Sequence, residues 1–289
     1  MRFKSGKDYQ AQKAKAVTVL GMSGVGKTTL SKMLHDKNWF QYSVDYRIGT
    51  RYMDEHIVDN FKREANKNAF LQKLLRSDSI YIRSNITFEN LEPLSTYLGK
   101  PGNPEKGGIS FADYKLRQTQ HCDAERKSLC DVPEFIDKAR NIYRYDNFIC
   151  DSGGSLCEVV NPDNDNDSVL EALSASTLMI YIESTEKHIA ELVKGFIKHP
   201  KPMYYNPQFL VEKWAEYKAV NKINSDDAVD PDRFAEWGYA QLLKHRAPIY
   251  KKIADKFGYT VRMQDIPALD TEEKFDAFIA RTIDEHSKP

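Results

Sequence analysis

The sequence has no excess charge of either sign: 42 Lys and Arg offset 42 Asp and Glu over 289 residues, for a formal net charge of zero. That balance gives a dedicated nucleic-acid binder no global attraction, so only a local basic groove would serve one, and nucleic acid is not indicated. No run approaches the roughly 20 consecutive apolar residues that span a bilayer, so no membrane segment is expected. The first 16 residues are polar and basic and lack the apolar centre of a secretory signal. Cysteine is scarce, and Cys122, Cys130, Cys150 and Cys157 show neither C-x-x-C spacing nor a His-rich companion run. A disulfide scaffold or a structural zinc site is therefore not expected. Repeats of fixed period and low-complexity tracts are also missing. What is there is 41% hydrophobic and 11% aromatic residues, enough for a buried core and too many for a disordered chain. The expectation is a globular, cytoplasmic protein of one large domain or two small ones.

Five short segments read as strands: Ala16–Leu20, 41–45, Asn147–Asp151, 178–182 and 259–263. The first, third and fourth are nearly continuous apolar runs, as suits parallel strands covered on both faces. Helical patterns lie between them. Asp131 is placed to cap a helix with Pro133 in its first turn and Phe135, Ile136, Ala139, Ile142 and Tyr143 inward. Ser168 and Glu171 have capping-box spacing, and Pro248 is placed to start a helix through Ile249, Ile253 and Phe257 that Gly258 ends. The alternation implies an α/β protein with a doubly wound parallel sheet of five strands. Two segments exceed what such a sheet needs. Residues 54–146 carry a helical pattern (Ile57, Phe61, Leu71, Leu74), an unassigned stretch and a Pro/Gly-rich loop at 100–108. Residues 194–230 open with Pro200, Pro202 and Pro207, followed by a helix over Pro207–Val220 with Leu210, Trp214 and Tyr217 inward. The division expected is a core of 1–53 and 147–289 with a lid at about 194–230, and a mainly helical insertion, 54–146, for an acceptor or a protein partner.

The sharpest signal follows the first strand. Gly21, Met22, Ser23, Gly24, Val25, Gly26, Lys27 and Thr28 spell G-x-x-x-x-G-K-T between a strand and a helix, the Walker A setting of a P-loop NTPase. The glycines let backbone N–H groups of Gly21, Ser23, Gly24, Val25 and Gly26 turn toward phosphates, and the helix start through Thr28 and Thr29 adds free N–H groups and a positive dipole end. Lys27 would reach the β- and γ-phosphates, and Thr28 would offer its hydroxyl to Mg²⁺. A dinucleotide fingerprint fails for want of a third glycine. The nearest guanine-reading sequence, Asn221, Lys222, Ile223, Asn224, ends on the wrong residue, which leaves ATP as the expected nucleotide.

Together with Asp45 after strand two, Gly153 and Gly154 after strand three, and Arg246, Pro248, Tyr250 and Ala254 in R-x-P-x-Y-x-x-x-A spacing, the chain resembles the shikimate kinases and, more broadly, the P-loop small-molecule and nucleoside-monophosphate kinases. The resemblance covers roughly residues 15–50, 145–200 and 242–265 and implies strand order 2-3-1-4-5. It implies Asp45 as a Mg²⁺-organising or hydroxyl-activating carboxylate, Gly153 and Gly154 as amides near the acceptor, Lys201 as the lid cation, and Arg246 as the acceptor's carboxylate ligand. Two departures stand out. Shikimate kinases carry Asp-x-Asp where this chain has Asp45, Tyr46 and Arg47, which points to an anionic or differently shaped acceptor. They lack Asp151, which instead fits the Mg²⁺-side carboxylate of the wider ATPase pattern. For each of these residues a bland role remains open: a turn cap for Asp45, a tight turn for the glycines, a solvated loop for Lys201, a local ion pair for Arg246. The leading expectation is a Mg²⁺-ATP-dependent kinase of a small molecule other than shikimate. Its rivals are a P-loop ATPase coupling hydrolysis to partner binding, and a nucleotide-binding module without turnover.

Overall fold

In the computed structural model, which describes residues 2–286, five parallel strands form one sheet in the order β2-β3-β1-β4-β5. They are β1 (Ala16–Leu20), β2 (Trp39–Ser43), β3 (Asn147–Asp151), β4 (Leu178–Glu183) and β5 (Gly258–Arg262). Every residue of β1 is buried, as its nearly continuous apolar run requires at the centre of a sheet covered on both faces. The one hydroxyl within β1, Thr18, is satisfied by Thr177 at 2.9 Å. Register sets the functional end. Val19 pairs with Asp151 on β3, and Leu20 pairs with Tyr181 on β4. The turn after β1 therefore leaves the sheet between the ends of β3 and β4, the region where open parallel sheets hold ligands.

The chain divides into two compact units, one of residues 1–44, 125–199 and 236–289, the other of 45–124 and 200–235. The first contains the sheet. The second contains the helices Asp54–Ala65, Ala69–Arg76, Glu92–Leu98 and Pro207–Val220. Its aromatic core stacks Trp214 on Phe111 at 4.5 Å and sets Phe234 edge-on to Trp214 at 4.7 Å. Tyr114 and Gln118 both donate to the Met203 carbonyl, and Gln118 accepts from the Tyr205 amide, which ties down the chain after Pro202. The 200–235 segment thus belongs with 45–124, and 125–146 with the sheet.

Helix Pro207–Val220 forms over the expected range, capped by Asn206 and with Leu210, Trp214 and Tyr217 buried. Other boundaries moved. β2 runs 39–43 rather than 41–45, because Trp39 is buried with its indole N–H on Glu272 and the Tyr42 hydroxyl donates to the Ser128 carbonyl. Asp45 consequently lies in a short helix, Val44–Arg47, and not at a strand end. β5 runs 258–262, one residue early, because Gly258 pairs with Met179; a Cβ there would lie 2.3 Å from the Met179 carbonyl oxygen. Asp167, not Ser168, caps the helix Ser168–Ser176, accepting from the amides of Val169 and Leu170. Ile142 and Tyr143, expected inward, are exposed beyond the end of Val132–Asn141. Pro248 does not start a helix but sits inside Pro231–Phe257, where buried Leu242, Leu243, Tyr250 and Ile253 hold the helix through a missing N–H bond. The stretch without a sequence assignment includes most of a 20-residue helix, Phe111–Cys130, in which Gln118, His121, Glu125 and Ser128 are all buried. Tyr114, Ala124 and Leu129 are buried as well, and with polar residues interleaved on the inward side the apolar stripe is broken and the helical period hidden.

Candidate nucleotide site

Gly21 opens the turn after β1 with φ of 142°, and a Cβ on it would stand 2.6 Å from the Ile182 carbonyl oxygen. Gly26, at φ 100°, closes the turn as the N-cap of the helix Lys27–His35. Both positions need a residue without a side chain, and the loop between them is an arch of backbone amides over a helix N-terminus. Lys27 is only 6% exposed, and its ammonium donates to the carbonyls of Gly21 and Met22, each at 2.8 Å. A cation is thus held beneath an arch of backbone amides, an arrangement complementary to a polyphosphate.

The Thr28 hydroxyl donates to Asp151 Oδ2 at 2.7 Å, while the Gly153 amide donates to Oδ1 at 3.2 Å. Both carboxylate oxygens are oriented, one by the P-loop and one by the turn that follows β3. Gly154 continues that turn so close to the P-loop that a Cβ would lie 3.4 Å from the Ser23 amide nitrogen. A hydroxyl and a carboxylate in contact are hard oxygen donors, which fits Mg²⁺, an ion that takes one or two protein oxygens and completes its shell with phosphate and water. Among the described residues no group of three or more His, Cys, Asp or Glu could hold a metal unaided. Beside the arch lies a cleft of about 360 Å³ lined by apolar Met33, Met263, Ile266 and Pro267 with polar Thr29 and Asp270, walls against which a flat base can stack. The Cys150 and Cys157 thiols nearby in sequence are buried, and burial pushes both well above the ordinary thiol range.

Of the residues singled out from the sequence, Gly21, Ser23, Gly24, Val25, Gly26, Lys27, Thr28 and Thr29 form one loop and helix start, and Asp151, Gly153 and Gly154 lie against it. Asp45, Arg47 and Lys201 belong to the other unit. Arg47 lies over the Tyr52 ring at 5.5 Å, and Lys201 is exposed in the segment between the helices Glu186–Lys198 and Pro207–Val220. Arg246 is turned inward. It is 4% exposed, with Nε donating to Glu158 Oε1 at 2.8 Å and Nη1 to the Gly154 carbonyl at 2.9 Å. An arginine so engaged does not face open space as a carboxylate ligand of the acceptor would. Glu158 and Glu125, both fully or nearly buried beside this turn, were not singled out from the sequence. The available signal was a single charge inside the run Leu156, Cys157, Glu158, Val159, Val160.

An all-parallel sheet in this order, with a Gly-rich phosphate-type loop between β1 and the next helix, is a P-loop NTPase fold. No family model and no curated protein matches the chain. Among solved structures, it is similar to a shikimate kinase from Bacteroides thetaiotaomicron, with 15% identity, 94% of this chain and 95% of that chain covered, and a TM-score of 0.34. At that score the likeness carries no weight, and the fold class rests on the strand order and loop described above. No helix among the described residues is long and apolar enough to cross a membrane.

Proposed function

We propose that the protein is a Mg²⁺-ATP-dependent phosphotransferase acting on a small-molecule acceptor other than shikimate. The observation that carries the Mg²⁺-ATP part of this reading is the 2.7 Å hydrogen bond from Thr28 to Asp151 beneath a glycine arch that also holds the Lys27 ammonium, while an acceptor other than water rests on the spacing of Arg246, Pro248, Tyr250 and Ala254. Lys27 would exchange its two carbonyl partners for β- and γ-phosphate oxygens, so its charge is held in place before nucleotide arrives and little reorganisation is needed. Thr28 and Asp151 would hold Mg²⁺, which when bound neutralises charge on the transferring group. The cleft beside Thr29, Met33, Pro267 and Asp270 would take the base, and ATP is favoured because the sequence has no Asn-Lys-x-Asp set to select guanine. Lys201 is proposed as a lid cation, and Asp45 and Arg47 as the groups that meet the acceptor, Asp45 as a base or metal-shell carboxylate. Arg47, standing where shikimate kinases have a second Asp, is the reason to exclude shikimate and favour an anionic acceptor.

The second reading is an ATPase with water as acceptor and the 54–146 region as a partner surface; the Thr28–Asp151 contact, common to hydrolytic P-loop proteins, favours it. Incubation with γ-labelled ATP, with and without a metabolite pool, separates the two. Label on a small molecule supports the kinase, free phosphate without acceptor supports the ATPase, and neither outcome refutes both. Lys27→Ala is expected to abolish turnover in either case, and turnover that survives it refutes the site.

A further inference from the structure

The turn that follows β3 contains two glycines, and its own side chains reach it only through the Ser152 hydroxyl, 3.5 Å from the Gly153 carbonyl, and Asp151, which accepts from the Gly153 amide. Further anchors come from other elements. Arg246 donates to the Gly154 carbonyl at 2.9 Å and to Glu158 at 2.8 Å, and Ser155 donates to the carboxylate of Glu125, whose oxygens stand at 2.8 and 2.9 Å. His245 Nε2 lies 3.8 Å from the other oxygen of Glu158. Burial pushes the Arg246 guanidinium toward losing its proton, but Glu158 and its neighbours more than reverse this, and its pKa is raised. Two charges taken so fully out of water are expensive, and an apolar pair of the same volume would often serve packing as well or better. What an apolar pair lacks is a donor for the Gly154 carbonyl. One residue earlier in the same turn, the Gly153 amide holds Asp151 Oδ1, so the rotation of the Asp151 carboxylate depends on where this turn sits.

Resting on the nucleotide reading above, we propose that Arg246 and Glu158 are positioning residues of the Mg²⁺ site, fixing the Gly153–Gly154 turn so that Asp151 presents Oδ2 to Thr28 and the metal. The arginine that sequence reasoning assigned to the acceptor instead acts through the backbone on the metal side. Removing a group that hydrogen-bonds to a metal ligand and orients it typically costs about 10–100-fold in metal affinity.

The test is binding of a non-hydrolysable ATP analogue to the full chain, with Mg²⁺ titrated and a parallel series in EDTA. In the double variant Glu158→Leu with Arg246→Met, the buried charges are removed together, so melting should stay close to wild type. Half-maximal Mg²⁺-dependent binding should then need about 10-fold more metal or more, with metal-free binding unchanged. Arg246→Lys, which keeps the charge but not the two-pronged geometry, should fall between the two. It also decides the matter should the double variant fail to fold. An unaltered Mg²⁺ requirement in either folded variant, or a loss of metal-free binding equal to the loss with metal, overturns the proposal and leaves the pair a packing element. Absence of Mg²⁺-dependent binding in the wild type would instead overturn the nucleotide reading beneath it.

Discussion

Asp151→Asn removes one charge and almost no volume from the site. Asp151 is 6% exposed, and its carboxylate accepts from Thr28 at 2.7 Å and from the Gly153 amide at 3.2 Å. In the variant the carboxamide oxygen can keep the Gly153 bond, while its NH₂ group faces the Thr28 hydroxyl, which can accept instead of donate. The count of hydrogen bonds is preserved, but both lose charge assistance. Hydrogen bonds to charged groups contribute about 1.5–3 kcal/mol against roughly 0.5–1.5 for neutral ones, so the loss over the two bonds is about 2–3 kcal/mol. For a chain of this size that lowers the melting temperature by only a few degrees. The functional loss should be easier to see. On the proposed assignment, an anionic oxygen that would stand next to Mg²⁺ is replaced by a neutral amide with its NH₂ toward the metal, and a loss of about 3 kcal/mol in the transition state is roughly a 100-fold fall in kcat/KM. The assay pairs a melting curve with phosphoryl transfer or ATP hydrolysis measured over a range of Mg²⁺. A folded Asp151→Asn protein with wild-type Mg²⁺ dependence would refute the assignment of Thr28 and Asp151 as the metal side of the cradle.

Gly26→Ala places a Cβ at φ 100° and 3.0 Å from Ile266 Cγ2, so it should lower stability by about 1–2 kcal/mol and weaken ATP binding, read by calorimetry. Gly258→Ala puts a Cβ 2.3 Å from the Met179 carbonyl oxygen, in the sheet and not in the arch; it should lower the melting temperature while nucleotide affinity of the folded fraction stays unchanged. Asp226 has its pKa lowered by its hydrogen bond from Lys218, with Trp214 donating to the same oxygen. A depressed carboxylate stabilises above its unfolded value of about 3.9 and loses that contribution as pH falls through the folded value. Trp214 fluorescence should therefore change at the acid end of a titration, and Asp226→Asn should remove that step. A Trp214 signal that titrates identically in the variant would show that other groups govern it.

The arrest of Lys27 on two carbonyls has a bearing on kinetics. A buried ammonium with satisfied partners does not need to be desolvated when phosphate enters; it changes partners along one side chain. That is preorganisation of the kind that lowers the cost of binding charge, and it links the left-handed glycines of the loop to the chemistry the site can do.

Local sequence alone determined the elements whose physics is local. The apolar run Ala16–Leu20 followed by glycines and Lys27 specifies strand, arch and helix start, because backbone freedom and a helix N-terminus are properties of neighbouring residues. Helix Pro207–Val220 was legible for the same reason, through its proline start and inward Leu210, Trp214 and Tyr217. Tertiary structure alone decided which partners met. Nothing within five residues of Thr28 reveals that Asp151, 123 positions later, accepts its hydroxyl; the register of β1 against β3 does that. Nor does the spacing around Arg246 reveal a buried Glu158 88 positions away, which turns a surface-type side chain inward. The helix Phe111–Cys130 was illegible because polar Gln118 and Glu125 interrupt the inward side between Tyr114, Ala124 and Leu129, and their partners lie across the fold. Propensity and periodicity act over a few residues, whereas a buried charge is located by whichever distant group neutralises it.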